Sequence, residues 1–159
     1  MPGKKCSASF VTLATVIVAG LASVVVPASA APKDDACALL TKQDAVAALG
    51  EDVTGPESTS GLPMGPGMTA ASCEYVGSGY HRIQLTLIRL SPDAAAMYRA
   101  MCAQKGKEGL TGLGDMSCWY DNDHDELKGT TFFSIELGGI KNPTEPIKAA
   151  AKSVFARLK

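Results

Sequence analysis

Histidine and tryptophan are scarce in this sequence, which has two histidines, His81 and His124, and one tryptophan, Trp119. Two histidines offer little general-base chemistry, and neither falls in a Ser-His-Asp or Cys-His frame. No Cys-x-x-Cys pair occurs, so the usual thiol-exchange motif is missing. Excess charge of one sign is missing too: 15 basic residues stand against 16 acidic ones, a formal net charge of −1 at pH 7. Such a balance gives no electrostatic reason to bind nucleic acid or anionic lipid. There is no internal repeat and no low-complexity tract. The chain therefore reads as a non-catalytic domain without a cofactor.

What is present begins with an export signal. Lys4 and Lys5 form a short basic start, and Phe10 to Val26 is apolar or small and carries no charge. Pro27-Ala28-Ser29-Ala30 then supplies small residues at Ala28 and Ala30, the small-x-small pattern of signal peptidase. Residues 1–30 are thus expected to be a signal peptide cleaved after Ala30. Cys6 precedes the apolar stretch, and no cysteine stands at the cleavage point, so lipid anchoring is not expected. The product, residues 31–159, would be periplasmic or secreted, with no stable membrane anchor. It has 13 basic and 16 acidic residues and a formal charge of −3. Residues 31–36 read as a flexible tail, and residues 37–159 as a single domain large enough to bury a real core.

Four cysteines remain in that domain: Cys37, Cys73, Cys102 and Cys118. An even number in an exported chain argues for two disulfides.

Periodicity supplies the elements. Thr41 caps a helix running to Leu49, with Asp44 in capping-box register and Gly50 ending it. Residues 50–70 carry Gly55, Pro56, Gly61, Pro63, Gly65, Pro66 and Gly67 and read as a long loop. A short strand over Ala71–Val76 and an alternating strand over Tyr80–Leu90 form a hairpin about Gly77-Ser78-Gly79. Ser91-Pro92-Asp93 opens a second helix whose inward face is Ala94, Met97, Tyr98, Met101 and Cys102. A second hairpin pairs Met116–Tyr120 with Thr130–Leu137, joined by Asp121–Gly129. The last helix, from Thr144 to Leu158, has the stripe Ile147, Ala150, Ala151, Val154, Phe155 and Leu158. The expected fold is α+β: a mostly antiparallel four-stranded sheet of two hairpins, with helices packed on one face, in the order α-β-β-α-β-β-α.

Met116, Cys118 and Tyr120 share one face of their strand, and Ser117 and Trp119 share the other. Cys102 faces inward on the preceding helix, so a Cys102–Cys118 bond follows. The remaining pair, Cys37–Cys73, would clamp the first helix to the first strand.

The strings Cys37-Ala38-Leu39-Leu40-Thr41, Ala48-Leu49-Gly50, Ser72-Cys73-Glu74-Tyr75 and Gly112-Leu113-Gly114-Asp115 carry a likeness. The chain resembles small exported bacterial proteins and lipoproteins of unknown function that share Cys-x-Leu-Leu-Thr, Ser-Cys-x-Tyr and Gly-Leu-Gly-Asp motifs. The resemblance covers about residues 37–158. It implies an exported α+β domain and a first disulfide at Cys37–Cys73, and it supplies no catalytic residue. The chain departs from the lipoprotein members by lacking a cysteine at the cleavage point.

Two surfaces are candidates for function. If Ile83, Leu85, Leu87, Phe133, Ile135 and Leu137 face the helices, the opposite sheet face carries Tyr80, Ile88, Trp119 and Phe132. Large aromatics on an outward face point to contact with an envelope protein or a small apolar ligand. The alternative is divalent-metal binding by the acidic hairpin loop 121–126, through Asp121, Asp123, His124 and Asp125. An EF-hand needs Gly at its sixth position and Glu at its twelfth. Counted from Asp121 these are Glu126 and Phe132, so that motif fails. The bland reading of the loop is a solvated turn.

Overall fold

The computed structural model describes residues 35–105, 113–120 and 123–158. The leader, its cleavage point and most of the expected tail lie outside the described residues. The elements are α1 (Ala36–Leu39), α2 (Lys42–Leu49), β1 (Thr54–Gly65), β2 (Met68–Val76), β3 (Arg82–Arg89), α3 (Pro92–Lys105), β4 (Met116–Tyr120), β5 (Asp123–Lys128), β6 (Thr131–Gly138) and α4 (Thr144–Arg157). The fold is α+β, as expected, but the sheet has six strands in the order β1-β2-β3-β6-β5-β4, with every neighbouring pair antiparallel.

Two strands replace segments read as connections. Residues 54–65, expected within a loop, form β1, which pairs with β2 through three register irregularities. All twelve of its residues are exposed, so no alternation marks it as a strand. Its glycines and prolines are tolerated because it lies at the sheet edge. Residues 123–128, expected within a hairpin connection, form β5, inserted between β4 and β6. Its polar residues hid it, because three of them in a row, His124, Asp125 and Glu126, occupy buried positions.

Helices cover both faces, not one. On the first face, Ile83, Leu85 and Leu87 pair across strands with Leu137, Ile135 and Phe133. These six join Leu40, Leu49, Ile147, Ala151 and Val154 in the main core, beneath α1, α2 and α4. The α4 stripe is as expected, with Ile147, Ala150, Ala151 and Val154 buried. Helix α2 begins with the full Thr41–Asp44 capping box and ends on Gly50, whose φ of 72° suits the left-handed cap. Asp44 also accepts from Arg157 at 2.7 Å, joining the start of α2 to the end of α4. The short α1 is capped by Asp35, which accepts from the Cys37 and Ala38 amides.

On the second face, one row of the sheet carries Ala70, Ile88, Phe132, Leu127 and Met116 across five strands. Helix α3 covers part of it, burying Ala95 with Leu127 and Phe132 and packing Tyr98 beside them. The inward line of α3 is therefore Ala95, Tyr98 and Cys102. Met97 and Met101, expected inward, are 62% and 42% exposed. Two tethers set this rotation: the Cys102–Cys118 disulfide and the hydrogen bond from the Tyr98 hydroxyl to Asp125.

Both expected disulfides are present. Cys37 and Cys73 tie α1 to β2 with Cα atoms 5.0 Å apart, and Cys102 and Cys118 tie α3 to β4 at 5.9 Å. Paired cysteines of this kind belong to an oxidising, extracellular-type compartment. Among the described residues, no helix is long and apolar enough to cross a membrane.

Candidate functional site

Strand β5 concentrates the polar chemistry. Its period of two sends His124 and Glu126 to the first face, opposite Ile135 and Phe133, and sends Asp123 and Asp125 to the second. His124 and Glu126 are 0% and 1% exposed. His124 Nε2 lies 2.8 Å from Glu126 Oε1, so one of these two atoms carries the shared proton. The Trp119 ring leans on the imidazole, with centroids 4.8 Å apart and planes at 52°. His124 Nδ1 and Glu126 Oε2 are buried without a hydrogen-bond partner among the described residues.

Ser117 Oγ stands 3.4 Å from the same His124 Nε2. A serine nucleophile needs its base through one ring nitrogen and the orienting acid on the other. Here serine and carboxylate share a single nitrogen, and the histidine is closed from solvent. This arrangement organises the packing of β4 and β5 and does not activate a nucleophile.

Asp123, His124 and Asp125 do not converge. Asp121 lies outside the described residues, and Asp123 and Asp125 point to the face opposite His124. Asp125 is 7% exposed and accepts from Tyr98. Among the described residues, no three His, Cys, Asp or Glu side chains gather to hold a metal ion.

Nor do Tyr80, Ile88, Trp119 and Phe132 form one surface. Trp119 pairs with His124 and packs against the main core, on the first face. Phe132 is 7% exposed, and its ring meets Tyr98 with centroids 4.5 Å apart. Ile88 packs into the same cluster under α3. Tyr80 stands alone in the β2–β3 turn at 93% exposure. The expectation failed because it placed all helices on one face. Strand alternation correctly paired Trp119 with Ser117, yet could not say which face α3 would take.

Other large apolar side chains stand exposed. Leu62 and Met64 on β1 are 48% and 56% exposed, alongside Met97 and Met101 on α3. Leu62 pairs with Ala70, and Ala70 with Ile88, which places Leu62 on the face covered by α3. The sequence signal for these side chains was obscured, since the methionine pair at i and i+4 reads equally as core. A groove between α2 and α4, lined by Asp44, Ala48, Pro146, Ala150 and Ser153, holds about 60 Å³. Organic ligands occupy pockets of roughly 300 Å³ or more. No known protein family, characterised protein or solved structure matches the chain.

Proposed function

We propose that this protein is an exported, non-catalytic interaction domain that meets an envelope protein. The observation that carries the reading is the exposure of Leu62, Met64, Met97 and Met101, with Leu62 and α3 on the same side of the sheet. These side chains form two exposed pairs, one on the edge strand β1 and one on α3, and large apolar side chains left on the surface offer contact to a partner. Methionine suits such a surface because its thioether is polarisable and its chain adapts to the partner. The two disulfides support export, and the likeness of the Cys-x-Leu-Leu-Thr, Ser-Cys-x-Tyr and Gly-Leu-Gly-Asp motifs to exported bacterial proteins supports it further. The groove of about 60 Å³ between α2 and α4 is itself too small for an organic ligand.

The test replaces Leu62, Met64, Met97 and Met101 with serine. Substitutions at exposed sites change stability by roughly 0.5 kcal/mol or less, so each single variant should melt near the parent. In-cell photo-crosslinking from positions beside these residues should capture an envelope protein in the parent and lose it in the quadruple variant. Undiminished capture would rule this surface out.

A further inference from the structure

We propose that Met64, Met97 and Met101 are oxidation sites, which take oxygen from peroxides and hypohalous acids to become methionine sulfoxide ahead of the half-buried Met116, while the fold stays intact. Their position alone carries this, whether or not an envelope protein meets the same residues.

Thiols and thioethers are the side chains most readily oxidised. Cys37, Cys73, Cys102 and Cys118 are bonded in pairs, so every cysteine among the described residues is already oxidised. The reduced sulfur of the described residues is therefore thioether, in Met64, Met68, Met97, Met101 and Met116. Exposure divides these methionines. Met97 is 62% exposed, Met64 56% and Met101 42%, whereas Met68 and Met116 are half-buried. Met116 packs against the cluster of Ala95, Leu127 and Phe132 beneath α3. The rotation of α3 sets this contrast. Its inward line is Ala95, Tyr98 and Cys102, so Met97 and Met101, four residues apart, stand side by side on the outward part of the helix.

The step balances with the oxidant alone. A sulfur lone pair attacks one oxygen of hydrogen peroxide, the O–O bond breaks and an S–O bond forms. Sulfur is oxidised by two electrons, and the departing hydroxide takes the proton left on the sulfoxide oxygen and leaves as water. Hypochlorous acid reacts in the same way, releasing chloride and a proton. The product is a polar side chain in place of an apolar one. On Met64, Met97 and Met101 the new oxygen faces water and is solvated. On Met116 it would intrude on the apolar cluster under α3, where a polar group lacks water to bond. The three exposed methionines thus consume oxidant at positions that leave the fold unchanged, ahead of the one that does not.

The test treats the disulfide-intact protein with hydrogen peroxide. Peptide mass spectrometry follows each methionine, and thermal melts are taken on the same samples. Met64, Met97 and Met101 should oxidise on the order of tenfold faster than Met116, in keeping with their access to the oxidant. The melting midpoint should stay within about 2 °C of its starting value until these three are converted, and should fall once Met116 reacts. Under limiting peroxide, Met64→Leu/Met97→Leu/Met101→Leu should lose stability sooner than the parent, because Met116 then takes the oxygen. Four results would overturn the proposal: equal rates at the exposed methionines and Met116, Met116 reacting first, a midpoint that falls as the exposed three convert, or a folded leucine variant as resistant as the parent. The first three are read on the unmodified protein and decide the matter even if the leucine variant does not fold.

Discussion

His124 and Glu126 sit two residues apart on one strand, point the same way into the main core and share a proton across 2.8 Å. This pair lies where the alternation of an ordinary strand would place valine or leucine, and β5 is built around it. Removing one member leaves the other buried without its main partner. Breaking such a pair costs about 3–5 kcal/mol, whereas replacing both members by apolar groups is often neutral. Glu126→Ala and His124→Ala should each destabilise by about 3 kcal/mol in urea unfolding, the low end of that range. A His124→Leu/Glu126→Leu double variant should recover much of the loss. Strict additivity of the two single effects would show that the contact contributes nothing. Trp119 emission should shift in both single variants, because its ring rests on His124.

Gly114 and Asp115 give the Gly-Leu-Gly-Asp motif a structural meaning. Gly114 has φ of 60°, and a Cβ there would stand 2.5 Å from the Leu127 carbonyl oxygen and 3.0 Å from Glu126 Oε2. Its backbone therefore covers the buried carboxyl of β5. Asp115 donates its amide to the Leu127 carbonyl and accepts the Gly129 amide at 2.6 Å, pinning the β5–β6 turn. Left-handed backbone costs a non-glycine residue about 1–2 kcal/mol, before the clash. Gly114→Ala should therefore destabilise by at least about 2 kcal/mol. Asp115→Ala should lose about 1 kcal/mol, the net contribution of one hydrogen bond. Thermal unfolding separates the two, and a Gly114→Ala melt equal to the parent would refute the close approach.

Particular residues show where the sequence was readable. Ile83, Leu85 and Leu87 alternate cleanly because one side of β3 is wholly apolar, and the strand lies where that pattern puts it. Cys102 and Cys118 were joined by periodicity alone, and they meet. β1 was invisible, since an exposed edge strand punctuated by Pro56 and Pro63 has the composition of a loop. β5 was invisible for the opposite reason. Asp125 is held by Tyr98 on α3, far away in sequence, and His124 and Glu126 bond to each other at buried positions where a strand pattern calls for apolar residues. The expected metal site fell because β5 sends alternate residues to opposite faces, and the aromatic site fell because α3 took the second face while Trp119 lies on the first.

The two disulfides should differ in weight. Cys37–Cys73 spans 36 residues and Cys102–Cys118 spans 16. Loop closure entropy assigns them about 4 and about 3 kcal/mol. Mapping without reduction should recover these two pairs. Cys37→Ala/Cys73→Ala should then lower the unfolding midpoint more than Cys102→Ala/Cys118→Ala does. The second variant should have a distinct signature: loss of protection in α3 while the main core keeps its exchange rates, since α3 packs on the second face, away from that core. Uniform loss of protection would show that the two faces unfold as one unit.

Glu51 supplies a pH dependence with a defined sign. Its carboxylate accepts from the Ser78 hydroxyl at 2.6 Å, the Ser78 amide at 2.9 Å and His81 Nδ1 at 2.8 Å. These hydrogen bonds, the Ser78 hydroxyl foremost, hold its pKa down from 4.5 to about 2. A folded-state pKa below the unfolded one means that the unfolded chain binds the proton more readily. The stabilisation is therefore complete above pH 4.5 and is lost as pH falls towards 2. Side-chain carbon chemical shifts should place the Glu51 midpoint near 2 in the parent, and Ser78→Ala should move it up towards 4.5. The parent's stability advantage over Glu51→Gln should shrink across the same interval. A Glu51 midpoint near 4.5 in the parent would mean that the Ser78 contacts do not persist in solution.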